Sequence, residues 1–114
     1  MKKFQLGEFE EIVMLTVGIL YDDAYGVSIK KKIESRLKRS VSVGALQAAL
    51  KRLEKKGYLK SHDAGATPER AGRPKRYFVI TAYGKKALTY MRDRRNALWD
   101  DIPEVAFNLK NAGQ

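Results

Sequence analysis

Hydrophobic residues step through this chain by threes and fours as far as Lys56. They give way to two short strand-like runs between Tyr58 and Thr81, and helical steps then resume to Ile102. No other feature narrows the fold as much. A period near 3.6 demands helices with one apolar face, and β-branched or aromatic runs around a Gly/Pro-rich loop demand a hairpin. Phe9, Ile12, Val13, Thr16, Val17 and Leu20 predict a helix over Glu8 to Leu20, with Glu8, Glu10 and Glu11 at its positive end. Tyr25, Ile29, Ile33 and Leu37 predict a second over Tyr25 to Lys38, capped by Asp22 or Asp23. Ser42 is a suitable N-cap for a third over Val43 to Lys56, with Val43, Leu46, Ala49, Leu50 and Leu53 turned inward. Gly57 stands where a left-handed C-terminal cap belongs.

Tyr58 to His62 reads as one strand, Ala64 to Pro74 as a loop, and Arg76 to Thr81 as the returning strand. Thr81 caps a last helix over Ala82 to Asp101. In it Leu88, Met91, Arg95, Leu98 and Ile102 form a heptad seam that Pro103 ends. A short turn is expected in the tail. The predicted fold class is mostly α with a small β-hairpin: a winged helix-turn-helix domain over 1–81, then a C-terminal dimerisation helix and tail over 82–114.

Charge narrows the partner. There are 23 basic residues against 13 acidic, a net +10, and such an excess attracts polyanions, nucleic acid first. In a winged helix the third helix enters the major groove, the second braces it, and the hairpin loop reaches the adjacent groove or phosphates. The third helix offers Gly44, Gln47, Ala48, Lys51, Arg52 and Lys55 outward. Gln47 suits an adenine edge, Lys51 suits guanine or a phosphate, and the small Gly44 and Ala48 permit close approach. The wing sets Arg70, Arg73, Lys75 and Arg76 against Glu69 alone, a net +3 suited to phosphates and narrow minor grooves. A winged helix serving protein contact or RNA, without operator specificity, is the alternative reading.

Other chemistries find little support. The chain has no cysteine, which removes disulfides and thiolate metal sites and fits a reducing compartment. His62 stands alone as a surface residue, and Asp22-Asp23 and Asp100-Asp101 sit at predicted helix ends. There is no phosphate-binding Gly-rich motif with a lysine and no nucleophile elbow. We therefore expect no enzyme, no metal and no cofactor. The best apolar run, Ile12 to Leu20, is interrupted by Thr16 and Gly18 and falls far short of the ~20 residues a membrane helix needs. The expectation is a cytoplasmic protein with no membrane partner.

Several segments together resemble the PadR family of bacterial transcriptional regulators. They are Leu6-Gly7-Glu8-Phe9-Glu10-Glu11, Ala24-Tyr25-Gly26-Val27, Val41-Ser42-Val43-Gly44-Ala45-Leu46 and Leu50 through Gly57. The remainder are Thr67-Pro68-Glu69-Arg70, Gly72-Arg73-Pro74-Lys75-Arg76-Tyr77 and Thr81-Ala82-Tyr83-Gly84. The resemblance covers about residues 6 to 90. It implies a homodimeric repressor on an inverted-repeat operator in double-stranded DNA. DNA contacts would fall at Ser42, Gly44, Gln47, Lys51 and the wing from Arg70 to Arg76, with Tyr25 supporting the second helix or touching DNA. It also implies a dimer interface built by the last helix, often with the first: here Phe9, Leu88, Met91, Arg95, Leu98 and Ile102. Where the family commonly has Tyr after Gly-Ala-Leu, this chain has Gln47, an amide in place of an aromatic.

In the family's compact members, aromatic residues of the last helix line a cavity between subunits where flat ligands stack. That makes Trp99 the candidate residue for a small aromatic effector. Arg95 interrupts the seam, to pair with Asp100 or Asp101 or to meet an anionic ligand such as a phenolic acid.

Overall fold

The structure is a computed structural model that describes residues 4–66 and 74–108. Among the described residues the order is α1 (Glu8–Leu20), α2 (Gly26–Leu37), α3 (Val43–Lys55), β1 (Leu59–Ala66), β2 (Pro74–Ile80) and α4 (Ala82–Asp100). Two 3₁₀ turns are added, Tyr21–Asp23 after α1 and Glu104–Phe107 beyond α4. The fold is the expected winged helix-turn-helix with a long last helix. β1 and β2 run antiparallel, pairing Leu59 with Ile80 and Asp63 with Arg76, and Ala66 with Pro74 past an irregularity. Both strands run closer to the loop than the alternation alone suggested.

The core sits where the first three helices meet the hairpin. Val13, Met14 and Val17 of α1 close on Ile29 and Ile33 of α2, on Leu46, Ala49, Leu50 and Leu53 of α3, and on Leu59 and Phe78 of the hairpin. Two expected core positions stay out. Leu37 is exposed at the end of α2, leaving only Ile29 and Ile33 buried on that helix, and Val43 is 60% exposed in the first turn of α3. The reason for Val43 is angular. At 100° per residue it lies about 70° from the centre of the face formed by Leu46, Ala49, Leu50 and Leu53, past the edge of the apolar stripe.

Local chemistry ends each element. The Ser42 hydroxyl accepts from the Ala45 amide at 3.0 Å, and the Thr81 hydroxyl accepts from Gly84 at 2.9 Å. Gly57 takes φ +83° to turn from α3 into β1. Lys38 closes α2 in the left-handed region, and Glu34 receives the Val41 amide at 2.8 Å beyond that turn. This bond first, and Lys30 second, hold the Glu34 carboxyl below its usual range. The expected cap on α2 is different: Asp22 and Asp23 lie in the 3₁₀ turn, and the Ser28 hydroxyl receives the Tyr25 amide and donates to the Asp23 carbonyl. The N-cap of α2 is Tyr25, so Asp22 and Asp23 stand two to three residues too early to cap it.

α4 is fastened at its start. Gly84 lies so close to β1 that a Cβ there would sit 2.2 Å from the Tyr58 carbonyl oxygen. Phe4 adds ring contacts to Tyr58, Tyr83 and Tyr90 at 5.3–6.4 Å. From Arg92 to Asp100 every α4 residue is exposed.

Candidate nucleic-acid interface

The outward side of α3 faces a cleft whose walls are the start of α2 and strand β2. Ser42, Gly44, Gln47 and Lys51 are all exposed on it. A Cβ at Gly44 would meet nothing within 4 Å, so the first turn of α3 is open to close approach. A Cβ at Gly26 would stand 3.3 Å from Gln47 Nε2, so the start of α2 holds that amide at short range. The cleft has a volume of about 240 Å³ and is lined by Tyr25, Val27, Lys30, Val43, Gln47 and Arg76 among others.

Tyr25 joins the wing to the helices. Its backbone bridges Tyr77 of β2, and beside it the Phe78 amide donates to the Ala24 carbonyl at 2.8 Å. Its ring lies 5.4 Å from that of Tyr77 and carries Lys75 Nζ 4.3 Å above its centre. Tyr25 is thus half-buried, and its contacts set the angle of the wing. His62 stacks on the far side of Tyr77 at 5.9 Å, an exposed aromatic neighbour with no metal-ligand company. Among the described residues no group of three or more His, Cys, Asp or Glu could hold a metal ion.

The basic residues divide into two sets. Arg52 Nε and Lys56 Nζ each lie 2.9 Å from a different oxygen of Glu10, which also accepts the Gly7 amide. Glu10 is 7% exposed. Burial alone would raise its carboxyl, but the bonds from Arg52, Lys56 and Gly7 outweigh it and lower the pKa to about 2. Arg52, expected on the outward face, is therefore turned to α1 and neutralised. Lys51 and Lys55 make no ion pair among the described residues. Arg76 meets Asp63 at 3.6 Å with both side chains more than half exposed, a contact water largely screens. Arg76 thus lines the same cleft as Gln47, and Lys75 lies over the ring of Tyr25, a residue of that cleft; Arg70 and Arg73 lie outside the described residues. Sequence reasoning passed over Val27, Lys30 and Val43 as cleft residues. Val43 was assigned to the core because it is apolar, yet its angle on the helix already placed it beside Gln47.

The expected dimer residues are spread out. Leu88 packs on the protomer's own core and Phe9 lies half-buried under the Arg39 guanidinium. Met91 is half-buried, Leu98 is 68% exposed, and Ile102 is also exposed. Arg95 does not pair with Asp100 or Asp101. Its guanidinium donates to Glu11 Oε1 at 2.7 Å, which raises the Arg95 pKa. Glu11 is nearly buried on α1, whereas Asp100 and Asp101 are exposed and better solvated alone. Trp99 is 64% exposed and lies 5.5 Å from the Phe107 ring.

A family model described as the transcriptional regulator PadR-like family matches residues 15–90, which span α1 through the first half of α4. The chain belongs to the PadR-like family. Solved structures agree on the fold. A PadR-like transcription factor from Bacteroides fragilis superposes with a TM-score of 0.69 at 24% identity, over 82% of this chain and 85% of that one. A PadR family regulator from Eggerthella lenta gives 0.67 at 22%, over 89% and 88%. One from hypervirulent Clostridium difficile gives 0.59 at 27%, over 81% and 92%. A comparison with curated protein sequences gave no match. As a PadR-like protein the chain is a DNA-binding transcription regulator, in a family of regulators rather than enzymes. Among its described residues no helix is long and apolar enough to cross a membrane.

Proposed function

We propose that this PadR-like protein is a homodimeric repressor that binds an inverted-repeat operator with α3 and its wing, and that a small aromatic ligand releases it. The observation that carries the DNA half is that the amide of Gln47 and the cation Arg76 line one cleft, that Lys51 lines the adjoining recess with the same two residues, and that the bare backbone of Gly44 is open on the same helix. Bidentate amides suit adenine, and cations in a recess suit phosphate. Ser42 caps α3 and Tyr25 braces the wing, and Arg70 and Arg73 are proposed as further phosphate contacts on the sequence alone.

Exposed Leu98 and Ile102 support self-association through α4; Phe9, Leu88, Met91 and Arg95 are the further residues proposed for that interface. Trp99 beside Phe107 supports an aromatic ligand site near that interface, where a ligand's anionic group would compete with Glu11 for the Arg95 guanidinium.

Affinity for an operator duplex, measured across salt concentrations, tests the proposal. With roughly six to ten phosphates neutralised, log Kd against log salt should have a slope of about 5 to 9 in magnitude. Arg73→Ala should weaken every duplex to a similar degree. A flat salt response, or equal affinity for operator and random duplex, would return the protein to the protein-contact or RNA reading.

A further inference from the structure

The cleft between α2, α3 and β2 contains two apolar side chains that the phosphate-and-amide reading leaves unused. Val43 is 60% exposed and Val27 is 49% exposed, and both line the cleft with Gln47. Each shares the cleft with the cations Lys30 and Arg76, where an exposed valine gains nothing from water and nothing from its own core. Val43 is the first residue of α3, directly after its Ser42 cap. The first turn of a recognition helix is the part that reaches base edges, and the open space at Gly44 leaves that turn unshielded.

Resting on the DNA reading of this face, we infer that Val43, backed by Val27, reads the C5-methyl group of a thymine next to the adenine that Gln47 reads. Thymine is the base that presents a methyl in the major groove, and apolar contact is how proteins select it. The geometry sets the spacing. Val43 and Gln47 lie one turn apart on one face, about 6 Å along the helix axis. Base pairs rise about 3.4 Å along the duplex. The thymine and the adenine pair therefore fall within about two base-pair steps of each other in each half-site.

The test uses the full chain and the duplex it enriches from a random-sequence pool. Each dT of that duplex is replaced singly by deoxyuridine, which removes the methyl group and keeps the pairing. For the wild type, one replacement per half-site should weaken binding about threefold to tenfold, the effect of one buried methyl and its packing. Val43→Ala, an exposed substitution, should bind the unmodified duplex more weakly by a similar factor and lose its response to that one replacement. Gln47→Ala and Lys51→Ala serve as controls for the face itself. If they weaken binding while every deoxyuridine duplex binds like the parent, the methyl reading is overturned and the DNA face stands. It is overturned too if Val43→Ala responds to deoxyuridine as the wild type does. If Gln47→Ala and Lys51→Ala bind as the wild type, or no duplex is enriched, both readings fall.

Discussion

Glu10 shows what a single side chain does here. Nearly buried, it draws Arg52 of α3 and Lys56, the C-cap of that helix, onto α1 and leaves Lys51 and Lys55 for a ligand. Its folded pKa of about 2 lies below the value near 4.5 of the unfolded chain, so its contribution is complete above that pH and lost as pH falls toward 2. Glu10→Gln should lower stability by about 2–3 kcal/mol at neutral pH and flatten the decline between pH 5 and 2, as read by urea midpoints across pH. Gly84 makes a second residue-scale case. Gly84→Ala places a methyl into the Tyr58 carbonyl, and urea unfolding should show a loss of about 3 kcal/mol, the upper part of the overpacking range. An unchanged midpoint would mean that α4 shifts without cost.

At the scale of elements, both ends of α3 and the start of α4 were readable because each has a chemical marker: Ser42, Gly57 and Thr81 act in the structure as their residue types suggest. Ser42→Ala should cost about 1 kcal/mol, a loss of one capping bond measurable by thermal melting. The failures share one cause. Apolar periodicity identifies a stripe but not its edges, and it carries no information on partners far away in the chain. Val43 and Leu37 join the apolar stripes by helical spacing, yet stand at the stripes' ends, where the structure leaves them exposed. Arg52 was counted with Lys51 although it lies on the opposite flank of the helix from Gln47, toward Glu10. Arg95 was matched to acids a turn away, when its partner Glu11 is 84 residues distant in sequence. The bridge from Tyr25 to Tyr77, which orients the wing, depends on a strand pairing with a helix cap and left no trace in the pattern.

For the whole molecule, α4 leaves its anchorage at Gly84 and Ala87 and carries an exposed apolar end, Leu98, Trp99 and Ile102. Light scattering at micromolar concentration should report about twice the chain mass of 12.9 kDa. Leu98→Glu should shift that mass toward one chain and weaken operator binding, because a dimer couples two half-sites and a monomer does not. A single-chain mass for the wild type would remove both the interface and a ligand site beside it.

The division of labour across the cleft, with α3 reading sequence and the wing supplying affinity, is tested most directly by competition. The ratio of affinities for the enriched duplex and for random duplex is measured for wild type, Gln47→Ala and Arg73→Ala. The ratio should fall about tenfold for Gln47→Ala, the worth of one bidentate base contact. It should hold for Arg73→Ala while both affinities drop together. An unchanged ratio for Gln47→Ala would contradict the assignment of α3 as the reader.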